Sequence, residues 1–419
     1  MSEWKECKLG DIAIITDCEH KTAPLVDSSE FISVRTSNIQ NGKIDFENSN
    51  RVSIEVYDEW TKRLKPQYGD IVLAREAPVG EVGWIAKNRK VCLGQRTVLI
   101  RTNDPSINSK YLLYYLVTED VKNDLINRST GSVVEHLNVK DIRNFDLKIH
   151  DLLKEQCSIA ALLSSLDDKI DLLHRQNTTL EAMAETLFRQ WFVAPLKKAE
   201  FEGTIADGFK NEKFGLWIKE TIGGDWGKEN PEGDFTKAVK CIRGTDIADL
   251  NVGIPKKTPL RFVKEKKFEN IEPKEGDLIL EISGGTETQS TGRTTYINTD
   301  IKLLFNYPLV FSNFCRMLRV KKPEYSFFVY SYLQYLYSQD EYFNLENGSS
   351  GIKNLDYKAL LFELDYPMPT EDKVIDFHKE VKILFKKINQ NKTQIRTLTT
   401  LRDTLLPKLM NGEVSLKCK

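Results

Sequence analysis

Short runs of β-branched and aromatic residues, each closed by turn residues, occur in two sets along the chain. FISVRT, DIVLAR and TVLIRT form the first set, and AVKCIRG, DLILEI and FCRMLRV the second. Their length and composition predict short, half-buried strands. In SKYLLYYLVTEDVKNDLI and SFFVYSYLQYLYSQDEYF the apolar residues fall at helical spacing. The Tyr and Phe stripes of these two segments read as core, not as a stacking platform for bases. Two longer stretches carry a seven-residue period. In the first, Ile159, Leu166, Leu173, Leu180 and Leu187 form one column, and Leu163, Ile170, Asn177, Ala184 and Trp191 its neighbour. In the second, Phe377, Leu384, Asn391, Leu398 and Leu405 recur beside Val381, Ile388, Ile395 and Leu409. Two interleaved columns sustained over about four heptads predict a coiled-coil seam. Leu166, Leu173, Leu180, Leu187, Leu384, Asn391, Leu398 and Leu405 are its candidate seam residues. No Gly or Pro interrupts the first helix before Pro195 or the second before Pro407.

The halves also echo one another in order. WKECKLGDI at Trp4 returns as WIKETIGGDW at Trp217, and VRTSNI at Val34 as IRGTDI at Ile242. YGDIVLARE at Tyr68 returns as EGDLILEIS at Glu275, and GSVVEHLNVKDIRNFDL at Gly131 as GSSGIKNLDYKALLFEL at Gly348. Each match alone is weak, but four in the same order indicate a duplicated unit. The expected fold class is therefore α+β, with two repeated β-rich domains separated by two long helices that form an antiparallel coiled coil. The expected boundaries are residues 1–153, 154–200, 201–370 and 371–419. Pairing the helices with each other would set the globular units at opposite ends of a rod, with Asn177 and Asn391 fixing its register at some cost in stability.

Composition narrows the function by exclusion. A chain of 419 residues, 40% apolar and 29% charged, is globular and long enough for more than one domain. Its formal net charge of -1 gives no global signature of a nucleic-acid binder, so DNA contact would rest on local Lys and Arg. Seven dispersed cysteines without a CxxC pair point to reduced thiols, and no stretch is long and apolar enough to span a bilayer; a cytoplasmic protein is expected. There is no GxxxxGK[ST] loop, no GxGxxG after a strand, no HExxH among the five histidines and no GxSxG. No Asn-Pro-Pro-aromatic tetrapeptide is present either, and Asp167 with Asp168 reads as a solvated helix face. The chain reads as a reader or adaptor, not a catalyst, with no metal site and no cofactor of its own.

Two variable α+β units, each followed by a related long helix, resemble the specificity subunit of a type I restriction-modification system. EQCSIAALLSSLDDKIDLLHRQNTTLEAMAETLFRQWFV and LTTLRDTLLPKLMNGEV carry most of the resemblance, and GDLILEISGGTETQSTGRTTYI with FSNFCRMLRV is similar to one class of its target-recognition domains. The resemblance implies a non-catalytic subunit that binds double-stranded DNA and two modification subunits, which methylate adenine at N6 using S-adenosylmethionine. It implies too that restriction subunits turn the assembly into an ATP-dependent translocase and endonuclease. Each recognition domain would read one half of a bipartite site, and the helices would set the gap. The other reading open to the sequence is a coiled-coil scaffold that binds proteins and has no preference for any DNA.

Candidate DNA-binding residues follow from the chemistry of groove reading, which needs bare backbone and short polar or guanidinium groups. LEISGGTETQSTGRTTYI packs three glycines, five threonines, two serines and one arginine into one loop. Ser283, Gly284, Gly285, Thr286, Gln289, Thr291 and Arg293 are its candidates, against a plain solvated hairpin loop. In the first unit Arg75 holds the equivalent place, and Gln95 and Arg96 offer groups suited to adenine and guanine edges. Arg35, Thr36 and Asn38, matched by Arg243, Thr245 and Asp246, end a strand, where Asp246 could accept from a cytosine amino group or cap a turn. Ser132 with His136, and Ser349 with Lys353, suit phosphate contact or a helix N-cap equally.

Overall fold

The computed structural model describes residues 4–129, 136–253, 258–348 and 351–416. Two compact units are present, Met1–Lys169 with Thr399–Lys419, and Ile170–Leu398. Each therefore takes in part of both long helices, so the units do not end where the β-rich segments end.

The first unit is built on a four-stranded antiparallel sheet with strand order Ala13–Asp17, Thr97–Thr102, Ile71–Arg75, Val79–Trp84. A second sheet sets Phe31–Val34 between Asn50–Val52 and Lys90–Leu93, and its pairing with Lys90–Leu93 is parallel. The second unit repeats this plan. Its four-stranded sheet runs Ile218–Gly223, Cys315–Val320, Leu278–Glu281, Thr294–Tyr296, and its smaller sheet pairs Phe235–Ile242 in parallel with Leu309–Phe311. Corresponding polar groups do corresponding work. Arg101 grips the buried Asp70 through Nε and Nη2 at 2.8 and 2.7 Å, and Arg319 grips the buried Asp277 at 3.1 and 2.9 Å. Asp70 also accepts from Gln67 N–H at 2.8 Å, as Asp277 does from Lys274 N–H at 2.7 Å. A repeated ion pair with a repeated turn cap is the duplication in three dimensions.

The aromatic stripes are core. Tyr111, Leu112 and Leu113 of the helix Ser109–Val117 are buried in the first unit, and Phe327, Phe328, Tyr332 and Leu333 of Ser326–Ser338 in the second.

The long helices are Leu153–Phe188 and Glu371–Met410. Within the second unit they run antiparallel, with Asn391 Nδ2 donating to Asn177 Oδ1 at 2.9 Å and Phe188 packed on Phe377. Within the first unit Ile159 and Leu163 share a core with Leu406, Leu409 and Met410. Of the expected seam residues, Leu173 and Asn391 are buried, whereas Leu166, Leu180, Leu187, Leu384, Leu398 and Leu405 are only half-buried. Burial is greatest along Leu163, Ile170, Asn177 and Ala184 and along Val381, Ile388, Ile395 and Leu409. The seam is turned because the same helices also pack on globular elements, as Phe188 does on Phe328 and Tyr332. In the first unit Arg402 donates from Nη1 to Asp167 Oδ1 at 2.8 Å, and the same carboxylate accepts from Tyr114 Oη at 2.6 Å. Asp167 is thus an interior partner, correcting its reading as a solvated face. Neither proline ends its helix. Pro195 enters near the start of Ala194–Glu202, just after the π-helical turn Arg189–Val193, where the missing N–H costs little; Pro407 lies inside Glu371–Met410.

Candidate nucleic-acid interface

In the first unit four candidates converge. Arg35, Thr36, Gln95 and Arg96 line one concavity of about 310 Å3, together with Thr22 and Asn50. Two neighbouring strand ends bring them there, because Phe31–Val34 and Lys90–Leu93 are parallel and both deliver their following loops to the same edge. Gly94 N–H closes the junction on Val34 O at 2.7 Å, and a Cβ on Gly94 would lie 2.7 Å from that oxygen. Arg35, Gln95 and Arg96 are exposed. Arg96 has a left-handed backbone, φ 67°, and its Nε lies 2.8 Å from Glu76 Oε2. His136 Nδ1 contacts the other oxygen of Glu76, so His136 meets a carboxylate.

The remaining first-unit candidates are internal. Arg75 is 6% exposed and its Nη1 pairs with Asp17 at 3.2 Å. Asn38 is buried, accepting from Arg35 N–H at 3.0 Å and donating to Asn48 O at 3.3 Å. Ser132 lies outside the described residues, as does Ser349 in the second unit.

The Gly-Thr loop of the second unit is fastened from within. Glu281, 1% exposed, accepts from Arg293 Nε at 2.9 Å and Nη2 at 2.6 Å, and from Gly292 N–H at 3.4 Å. This carboxylate holds the guanidinium above its ordinary pKa. It also explains two glycines, since a Cβ on Gly244 or Gly284 would lie 2.2 or 2.6 Å from Glu281 Oε1. Thr291 is fully buried and its N–H donates to Glu346 Oε1 at 2.5 Å, while Lys353 Nζ pairs with Glu346 Oε2 at 3.0 Å. Ser283 Oγ donates to Asn354 Oδ1 at 2.7 Å, and Gly284 pairs with Lys353 across a short antiparallel ladder. Gly285 has φ 74°, and a Cβ there would lie 2.7 Å from Thr291 Oγ1. What remains exposed is the tip, Thr286, Glu287, Thr288 and Gln289. Beside the loop, Asp246 caps its turn by accepting from Arg243 N–H at 2.9 Å and holds Arg243 Nη2 at 2.8 Å, leaving Thr245 exposed. The two candidate surfaces thus offer hydroxyls, amides and guanidinium groups, and several of their cations are neutralised by carboxylates. Such an arrangement can present hydrogen-bonding groups to base edges without a large positive field.

Residues 1–182 match the family described as the type I restriction modification DNA specificity domain. The match covers the first β-rich segment and most of the first long helix. Over 380 residues it is 27% identical to the type I restriction enzyme MjaIX specificity subunit of Methanocaldococcus jannaschii, covering 86% of this chain and 80% of that protein. With the type I restriction enzyme HindI specificity subunit of Haemophilus influenzae it shares 23% identity, covering 99% and 100%. The S subunit of a type I restriction-modification system from M. genitalium has the same fold, with a TM-score of 0.60 at 16% identity over 98% of this chain and 96% of that one. Specificity subunits of type I systems are generally non-catalytic. No helix among the described residues is long and apolar enough to cross a membrane.

Sequence reasoning missed several residues at the candidate sites. Glu76 organises the loops of the first unit and Glu281 and Glu346 those of the second, where Asn313 and Phe314 stand exposed next to Ile282 and Ser283. The signals were weak: Glu281 ends a strand text, and Phe314 begins one that reads as core.

Proposed function

We propose that each β-rich unit reads one half of a bipartite duplex DNA site, and that the chain docks two modification subunits whose adenine methylation it directs. S-adenosylmethionine and ATP would be bound by those partners and by restriction subunits, with no cofactor held by this chain. In the first unit the reading groups are Arg35, Thr36, Gln95 and Arg96. In the second they are Arg243, Thr245, the backbone of Ser283–Gly285, and Thr286 with Gln289. The observation that carries this reading is the convergence of Arg35, Thr36, Gln95 and Arg96 around one concavity, on loops that the duplicated fold supplies again in the second unit. On this reading the two long helices, of 36 and 40 residues, are the spacer, each with a helical length of roughly 54 to 60 Å. Such a spacer would fix the unspecified gap between half-sites.

The test is selection from a random duplex library by the chain assembled with its modification subunits, repeated across a salt series. The reading predicts one enriched bipartite motif and an affinity that falls steeply and log-linearly with salt. A complex that enriches no sequence, while binding any duplex equally, would overturn it.

A further inference from the structure

The two units repeat the same backbone hydrogen bonds at the edge of their central sheets, and an exposed position there differs in kind. In the first unit Arg75 N–H donates to Arg96 O at 2.9 Å, and Leu137 N–H to Arg75 O at 3.0 Å. In the second, Ile282 N–H donates to Phe314 O at 2.9 Å, and Leu355 N–H to Ile282 O at 3.0 Å. Strands Thr97–Thr102 and Cys315–Val320 begin at the very next residue, and the fifth residue of each is the arginine of the repeated ion pair. Gln95–Arg96 and Asn313–Phe314 therefore occupy the same two places.

Phe314 is 49% exposed, in a unit whose other phenylalanines at this edge, such as Phe311, are fully buried. Its carbonyl is held by two backbone donors, Ile282 N–H and Ser283 N–H at 3.2 Å. The backbone of Phe314 is thereby fixed against Ile282 and Ser283, the residues that lead into Gly284–Gly285. Asn313 next to it is exposed.

We propose that Asn313 and Phe314 are specificity-determining residues of the second half-site, the Phe314 ring packing on the 5-methyl group of a thymine and the Asn313 amide pairing with an adenine. This rests on the reading that the unit contacts DNA bases. Groove chemistry selects these partners. A phenyl ring offers no donor to guanine O6 or N7 but suits the thymine methyl, whereas a guanidinium suits guanine. An asparagine or glutamine amide matches adenine N6 and N7. The exchange of Arg96 for Phe314 at one equivalent place makes the two half-sites differ there, guanine in the first and thymine in the second.

The experiment uses the full chain assembled with its modification subunits and duplexes carrying the wild-type methylation motif. Each thymine of the second half-site is replaced in turn by deoxyuridine, which removes only the methyl group. Wild type is expected to lose affinity at one such position, and Phe314→Ala to bind both duplexes alike. Methylation mapping of Phe314→Ala should show relaxed discrimination of about 5- to 150-fold at that single base pair, with the first half-site unchanged. Phe314→Arg should shift the same base pair toward G·C. A wild-type bipartite motif indifferent to every thymine methyl, with Phe314→Ala reading it unchanged, overturns this inference and leaves DNA reading intact. Failure of the underlying reading looks different, because wild type then yields no motif. If Phe314→Ala instead loses the modification subunits in a pull-down while any residual motif is unchanged, the ring is a protein contact and the inference falls.

Discussion

Arg293 stands in the middle of the candidate interface and yet is bound from inside, so its replacement separates two roles. Arg293→Ala leaves Glu281, 1% exposed, without the guanidinium that now meets both of its oxygens at 2.6 and 2.9 Å. Gly292 N–H at 3.4 Å is a weak substitute. Breaking a buried pair by removing one partner costs about 3–5 kcal/mol. At about 1.36 kcal/mol per tenfold, that is roughly two to four orders of magnitude in the opening equilibrium. Hydrogen exchange on the full chain localises the loss, because peptides from Leu278–Glu281 and Cys315–Val320 should exchange faster while those from Ile71–Arg75 should not. Converting both partners to methionine should restore most of the protection, since an apolar pair of similar volume needs no countercharge. Second-unit amides that exchange as in wild type in Arg293→Ala, alongside lost reading of one half-site, would refute this reasoning and make Arg293 a DNA ligand.

Other consequences follow from the helices and the thiols. Asn391→Leu should lower the stability of the second unit by about 1–3 kcal/mol, by stranding Asn177, and Asn177→Leu in the same chain should recover it; equal denaturation midpoints for wild type and the single variant would contradict this. Leu173→Glu, at a position 1% exposed, should cost several kcal/mol and weaken capture of the modification subunits, as read by pull-down. Because Asn177 pairs with Asn391, lengthening the spacer takes matched four-residue insertions after Asn177 and before Asn391, which should widen the methylated gap by roughly one to two base pairs; an unchanged gap in an active variant would show that the helices do not set it. Burial pushes the thiols of Cys241 and Cys315 up to about 12 and that of Cys92 to about 11, so at pH 8 they remain protonated in the folded chain. Iodoacetamide should then label exposed Cys157 well before these three, and mass spectrometry showing early labelling of Cys315 would contradict the packing.

Periodicity and repetition made the large features legible. The echoes at Val34 and Ile242 and at Tyr68 and Glu275 mark strands that occupy matching places in the two sheets, and the heptads mark helices that do pair. The side of each helix that is most buried was not legible, because Phe188 and Asp167 answer to globular elements remote in sequence. The same limit governs the interface. A loop rich in Gly, Thr and Arg has the composition of a DNA reader and also of a loop tied to its own scaffold. Only the fold shows that Arg293 meets Glu281 and Thr291 meets Glu346, while the tip around Thr286 and Gln289 is free to face a ligand. Phe314 was illegible for the opposite reason, since a phenylalanine entering a strand text implies burial unless its register is known.

The most direct measurement of whether each unit reads its own half-site is a map of N6-methyladenine in DNA from cells that co-express the chain with its modification subunits. Wild type would be compared with Gln95→Ala/Arg96→Ala and with Thr286→Ala/Gln289→Ala. The account predicts one bipartite motif for wild type, with the first variant altering only one half and the second only the other, at an unchanged gap. Both halves changing together in either variant, or neither changing in both, would contradict it.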